Sequence, residues 1–487
     1  MEMATDKLPG KWSILGMRLR LGLELGFFSL LIHLLWFLVT VVRWLFVPLV
    51  LLLQLLFMVP FARTMKIPVT RSSFRRVEEP EVPDDAWIYF RETASLLGLI
   101  GFRPGHFVRL SGIFDNQTTY GMPLTNTQTR VGMGVNYIAI SDKKGRVVDN
   151  RRAVELTAEC GPDRMVDFTN SEELEPFMPA SRTRIRLPYH SELDLLRLFS
   201  DYTENSGCTL SDTTLTRLQD EPDTVLWDEF RNGMEEVSRD GYLVMSPGNE
   251  VMRLTWKGAL RAGVLAQWPL SVPVGRLEKR EIDHLLSAAG VSREDEGADI
   301  AGFLDPLPVA GLDTDRVASL CAIVEQLVRR YAEGLRLASI TYNYSGFAAT
   351  TPPVNILYTW VLHEACEMRE LERHVELMLE IDTTSGAINW LTADDGHYAP
   401  GEYPDDLDDP QPLSAPVTTL LTLQGVLALT EPKVMQYSAE CANDTLTVLE
   451  VEGRSIWQRT TLFGNGELVV TDLDAVSGEI LRSEKEY

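Results

Sequence analysis

The chain has 487 residues, 45 Lys and Arg against 70 Asp and Glu, a net charge of −25 and 45% hydrophobic residues. That length suggests about three domains. The acidic balance argues against nucleic acid as a partner, because phosphate contacts reward Lys and Arg.

Residues 1–25 form a basic arm with Trp12, Leu15, Leu19 and Leu23 at roughly helical spacing. Residues 26–62 form an apolar run whose only strong charge is Arg43. A stretch of 18 or more apolar residues is a candidate membrane span, and about 20 suffice. An arginine at mid-membrane costs roughly 2.5–3.5 kcal/mol, so Arg43 and Trp44 belong at an interface. Three arrangements satisfy this: residues 44–62 spanning alone, residues 26–42 spanning alone, or a tight hairpin with Arg43-Trp44 at its tip. Residues 1–76 carry 10 basic and 3 acidic side chains, which leaves 35 and 67 for the rest. Basic flanks on both sides of the run favour cytoplasmic ends and a cytoplasmic body at the cell membrane. The implied partners are the lipid bilayer and a membrane or membrane-associated protein. The five cysteines (Cys160, Cys208, Cys321, Cys366, Cys441) are widely spaced, with no CxxC pair. They read as free thiols in a reducing compartment.

Residues 63–85 are polar and hold Pro68, Pro80 and Pro83, which reads as a linker. Residues 86–206 read as an α+β domain. A helix over 87–97 stops before Gly98 and Gly101, strand-like runs follow, and a helix over 191–204 closes the unit. Residues 207–275 read as helix, hairpin, helix. The stretch Arg253-Leu254-Thr255-Trp256-Lys257-Gly258 resembles the end of the wing in winged-helix domains. Its recognition helix, 225–238, would carry Asp228, Glu229, Glu235 and Glu236, which disfavours DNA and favours packing or a protein partner. Residues 276–312 read as a helical connector.

From residue 313 the chain repeats itself. Ile381-Asp-Thr-Thr-Ser-Gly-Ala-Ile388 and Leu473-Asp-Ala-Val-Ser-Gly-Glu-Ile480 match at an offset of 92 residues. In each, Asp382 or Asp474 can bond the backbone ahead of it, and Gly386 or Gly478 supplies a positive-φ position. Upstream of each turn lie a helix and three strand-like runs. This order resembles the PepSY-like domains, small αβββ modules of secreted or membrane proteins of bacteria. The resemblance implies two αβββ units, 313–392 and 413–487, and a regulatory or inhibitory role. The charges at Glu364, Glu367, Glu370 and Glu372 leave 357–380 open to a helical reading. Residues 393–412 between the copies are acidic and read as a solvated linker, since calcium-loop spacing is missing.

Motifs for chemistry are sparse. His363-Glu-Ala-Cys-Glu367 resembles a zincin helix but lacks the second histidine four residues on. No phosphate loop or nucleophile elbow is present, and no cofactor or metal is expected. The expected fold is a membrane-anchored α+β chain: an N-terminal transmembrane helix or helical hairpin, then antiparallel-sheet domains with packed helices. Two functions follow: a non-catalytic interaction or regulatory module, or a membrane-tethered enzyme with its active site in residues 86–206.

Overall fold

The structure, a computed structural model, describes residues 52, 56–64 and 66–486, apart from 69, 115, 143, 162–163, 173–176, 246–250, 266–270, 293–296, 314, 346–354, 367–368, 370, 399–409 and 437–440. It is α+β, with two large sheets and one small one. The expectation of an N-terminal transmembrane helix or hairpin, and with it the membrane and transmembrane reading, is corrected. Among the described residues no helix is long and apolar enough to cross a membrane. The end of the apolar run lies in a helix that covers residues 56–64. There Val59 and Ala62 pack into a protein core with Val237, Leu243, Met252, Leu254 and Ala259. Apolar content alone does not say whether lipid or protein covers it, and these side chains have a protein partner. Most of the run, Arg43 and Trp44 included, lies outside the described residues.

The first large sheet holds β2 (Phe74–Arg76), β3 (Arg103–Pro104), β4 (Val108–Phe114), β5 (Gln117–Asn126), β6 (Val131–Ser141), β7 (Val147–Glu159), β8 (Met165–Thr169) and β9 (Arg182–Arg186). Its order is β2-β4-β5-β6-β7-β8-β9, with β3 beside β5. All pairs are antiparallel except β8–β9. Strand alternation sends Met133, Val135 and Tyr137 of β6 and Val154, Leu156 and Ala158 of β7 to one face. Two helices cover that face. Helix α1 (Asp84–Gly98) buries Trp87, Phe90 and Leu97. Helix α2 (Glu192–Ser206) buries Leu195, Leu198 and Phe199. Its start is fixed by a capping box between Ser191 and Asp194, and its end by Gly207 at φ 66°.

The segment 63–85 is built into the body rather than linking it. Strand β1 (Lys66–Pro68) belongs to the small sheet, β2 to the large one, and Phe74, Val77 and Val82 are buried. Prolines and charges there punctuate short elements instead of keeping the chain loose. The small sheet has the order β1-β11-β10, with β10 (Leu243–Met245) and β11 (Val251–Leu254) following helices α3 (Asp212–Asp220) and α4 (Pro222–Arg239). Helices α5 (Trp256–Leu265) and α6 (Ser271–Ala288) come next. Helices α3 and α4 lie on the second face of the first large sheet. Phe74 meets Trp227 and Phe230 of α4 with ring centroids 5.7 and 5.2 Å apart. Gly132 leaves room for Leu210: a Cβ there would sit 2.8 Å from its Cδ1.

The second large sheet is made by the two repeats together. Helix α7 (Val317–Tyr331) precedes β12 (Arg336–Ser345), β13 (Asn355–Cys366), β14 (Leu371–Asp382) and β15 (Ile388–Tyr398). Helix α8 (Leu423–Val434) precedes β16 (Cys441–Val451), β17 (Arg454–Phe463), β18 (Leu468–Asp474) and β19 (Ile480–Glu486). Each copy therefore has four strands, where the sequence analysis counts three. The run after the Asp-x-x-Ser-Gly turn is a strand too. Residues 357–366 and 371–380 are strands, not helix. The sheet order β15-β14-β13-β12-β16-β17-β18-β19 joins the copies through their first strands, antiparallel, with Thr341 opposite Thr447. One face carries Tyr342, Tyr358, Leu377, Leu446, Trp457 and Leu473 into a single core with α7 and α8. Thr341, Thr447, Gln458 and Thr460 alternate onto the other face, all half-buried within the breadth of the sheet.

Candidate functional site

The matched turns have one geometry. In the first, the Gly386 N–H donates to the Asp382 carbonyl at 2.8 Å and the Asp382 N–H to the Ala387 carbonyl at 2.9 Å. In the second, Gly478 donates to Asp474 at 3.0 Å and Asp474 to Glu479 at 2.9 Å. Both glycines have positive φ, 76° and 78°. The Asp382 Oδ1 accepts from Thr384 N–H and Ser385 N–H, and the Asp474 Oδ1 from Val476 N–H and Ser477 N–H. These donors hold both carboxyls below the usual carboxylate range. The segment before each helix docks on its own turn: Leu307 N–H donates to the Gly386 carbonyl and Leu421 N–H to the Ala475 carbonyl, each at 2.8 Å. The aspartates are thus consumed by the backbone and are structural.

The strongest concentration of chemistry lies on the first sheet, under α4. Alternation puts Glu155 and Thr157 of β7, Asp167 of β8, and Arg182 and Arg184 of β9 on one face. Glu229 of α4 closes over them. Arg184 Nη2 donates to Glu155 Oε1 at 2.7 Å. Arg182 Nη2 donates to Asp167 Oδ1 at 3.0 Å and to Glu229 Oε2 at 3.3 Å, and its Nε pairs with the other Asp167 oxygen. Thr157 Oγ1 donates to Asp167 Oδ1 at 3.0 Å. Asp167 is fully buried, whereas the Glu155 and Glu229 side chains keep about a quarter of their surface, 28% and 27%.

The three carboxylates titrate apart. Burial pushes Glu155 up, but Arg184 and Arg182 outweigh it and hold the group below its ordinary value. Burial raises Asp167 and Glu229, and Arg182 only partly offsets it. Three carboxyls face two guanidiniums, which is why Arg182 and Arg184 do not lower all three. A lowered Glu155 beside a raised Asp167 and Glu229 is a buried ion network whose members differ in proton affinity. Of these residues the sequence marks only Glu229, as one of the acids that disfavour DNA. Arg182-x-Arg184-x-Arg186 on a period-two strand was the signal available.

No protein-family model, no curated protein and no solved structure matches this chain. The geometry must therefore stand by itself.

A second polar cluster joins the two halves at α1. Asp395 of β15 is buried and accepts a two-pronged pair from Arg373, Nε to Oδ1 and Nη2 to Oδ2, both at 2.8 Å. Ser95 Oγ of α1 donates to the same carboxylate at 2.6 Å. Burial raises Asp395, but Arg373 and Ser95 bring it below its usual range. His397 packs edge-on to Trp87 at 4.8 Å, and burial lowers its pKa. Arg369, in the turn between β13 and β14, lies over Trp87 at 4.8 Å and pairs with Asp84. Arg373 holds the Asp395 carboxylate below its usual range and makes it a weak base toward the serine hydroxyl, so the cluster serves as a joint.

The cysteines depart from the expectation of free thiols. Cys160 and Cys208 form a disulfide, although 48 residues separate them. Backbone bonds in both directions between Glu159 and Thr209, at 3.1 and 3.0 Å, bring the two together. Cys321 is free, and burial pushes its thiol up to about 12, which makes it unreactive. Among the described residues no group of three or more His, Cys, Asp and Glu side chains is placed to hold a metal ion.

Proposed function

We propose that the chain is a non-catalytic interaction or regulatory module, and that the open face of the eight-stranded repeat sheet is its working surface. The observation that carries this reading is the pairing of β12 with β16, which turns two small units into one broad platform. Its helices sit on the opposite face, so half-buried hydroxyl and amide side chains such as Thr341, Thr447, Gln458 and Thr460 are left to meet a partner. The resemblance of residues 313–487 to PepSY-like modules supports a regulatory role. The Cys160–Cys208 disulfide supports an oxidising location for the body in place of a cytoplasmic one.

The test is site-specific photo-crosslinking in cells. A photoreactive residue at Thr447 or Thr460 should capture a discrete partner, and Gln458→Arg should abolish capture. The same set captured from Val148, exposed on β7 of the first sheet, would overturn the reading.

A second reading rests on the cluster under α4. Opposed proton affinities at Glu155 and Glu229 are what an acid–base enzyme needs, which supports a site drawn from residues 86–206 together with α4. Under that reading Glu229→Gln removes a measurable hydrolytic or proton-transfer activity while the fold survives. Under the first reading it changes stability alone.

A further inference from the structure

We propose that His363 and His374 form a two-histidine binding site for a divalent transition-metal ion of the zinc, nickel or copper class. The two residues are direct partners across the antiparallel pair β13–β14. Direct partners share a sheet face, so both imidazoles project to the same side. Their Nδ1 atoms lie 3.3 Å apart, and the rings are tilted by 41° with centroids at 4.7 Å. That separation lets one ring donate a hydrogen bond to the other in the metal-free chain. It matches two nitrogens on one tetrahedral ion, which Zn–N distances of about 2.0–2.1 Å put roughly 3.3 Å apart. A single ion between the two Nδ1 atoms would therefore take the place of the shared proton with little movement of the rings.

The surroundings suit a dication. Glu372 and Glu376 flank His374 at the i−2 and i+2 positions of β14, on the same face. His374 is buried, at 4% exposure, and so is held in place, while His363 is exposed and gives access. Imidazole suits zinc, copper and nickel, and water completes the coordination beyond the two protein ligands. The site also has a mechanical consequence. It would clip β13 to β14 just behind the turn whose Arg369 docks on Trp87 and Asp84 of α1. Metal binding would then stiffen the arm that joins the two halves.

The test is calorimetric titration of the full chain, free of any affinity tag, with Ni2+ and separately with Zn2+. One saturable ion per chain is expected. His363→Asn, at an exposed position that leaves the core intact, should weaken binding at least tenfold, and His374→Asn should do the same. His284→Asn, at an exposed position on helix α6, should leave it unchanged. Binding to the His363→Asn variant as tight as to the parent chain, or no saturable binding at all, would overturn the proposal. Circular dichroism of each variant separates lost ligation from lost fold.

Discussion

At the scale of single residues, backbone geometry and buried charge decide most. Gly386 and Gly478 occupy the same left-handed position, but their surroundings differ. A Cβ on Gly386 would lie 2.1 Å from the Leu307 carbonyl oxygen, which is backbone and cannot move aside. A Cβ on Gly478 would meet side-chain methyls, Leu429 Cδ1 at 2.8 Å and Leu421 Cδ1 at 3.2 Å. Both Gly→Ala changes should cost on the order of 1 kcal/mol for the positive φ alone. Gly386→Ala should cost clearly more, and denaturant melts of the two variants measure the gap. Equal losses would mean that the Leu307 segment does not seat on the first turn. Buried Arg459 makes a second case. Its guanidinium donates to Asp444 at 2.6 and 3.1 Å and to Thr430 and Glu431 at 3.0 Å, with no solvent exposure. Asp444→Ala leaves that charge with Glu431 as its remaining carboxylate and should cost up to about 3–5 kcal/mol. Replacing Arg459 and Asp444 together with apolar residues should recover much of it.

The turns are legible in sequence because Asp-x-x-Ser-Gly is a local object: every group it needs lies within five residues. Glu155, Asp167, Arg182, Arg184 and Glu229 meet only after four elements have assembled, so no spacing announces them. The same holds for Cys160 and Cys208, whose partnership depends on the return of α2.

At the scale of elements, caps and strand counts carry the argument. Asp194 closes the capping box of α2 and also accepts the backbone N–H groups of Gly297 and Ala298, at 2.9 and 2.7 Å. Burial raises its pKa, but these donors and Ser191 outweigh that and leave the carboxyl below its ordinary value. The sign follows from linkage. A carboxyl depressed in the folded state adds stability that is fully present above its unfolded value near about 4 and is lost as pH falls through the folded value. Asp194→Asn should therefore destabilise by about 1–2 kcal/mol at pH 6. The difference should shrink in melts below pH 4, and a difference independent of pH would refute the assignment. The repeat helices and the first three strands of each copy follow from apolar periodicity. The fourth strand escapes in the first copy because the acids of 393–398 read as the start of a solvated linker, although they continue β15 and bury Asp395, and in the second because β19 is an exposed edge with little apolar alternation. The segment 63–85 misleads for the opposite reason: prolines and charges dominate its composition, while Phe74, Val77 and Val82 fix its place.

At the scale of the whole molecule, two large sheets share α1. It buries Trp87 and Phe90 against the first sheet and offers Ser95 to Asp395 of the second. The long apolar run that dominates a reading of the sequence contributes, where it is described, Val59 and Ala62 to a small core with the β10–β11 hairpin. Hydropathy reports how apolar a segment is, and only tertiary structure reports what covers it. The central claim is that the two repeats meet along β12 and β16 to make one sheet with an open face. Thr341 and Thr447 face each other there with their hydroxyl oxygens 2.9 Å apart. Directly opposed antiparallel residues lie about 4.5–5.5 Å apart at Cα, within disulfide reach. The most direct measurement is oxidation of the Thr341→Cys/Thr447→Cys variant, followed by peptide mass spectrometry. A near-quantitative intrachain link between positions 341 and 447 is the expected result, and each thiol remaining free or linking elsewhere would contradict the joined sheet.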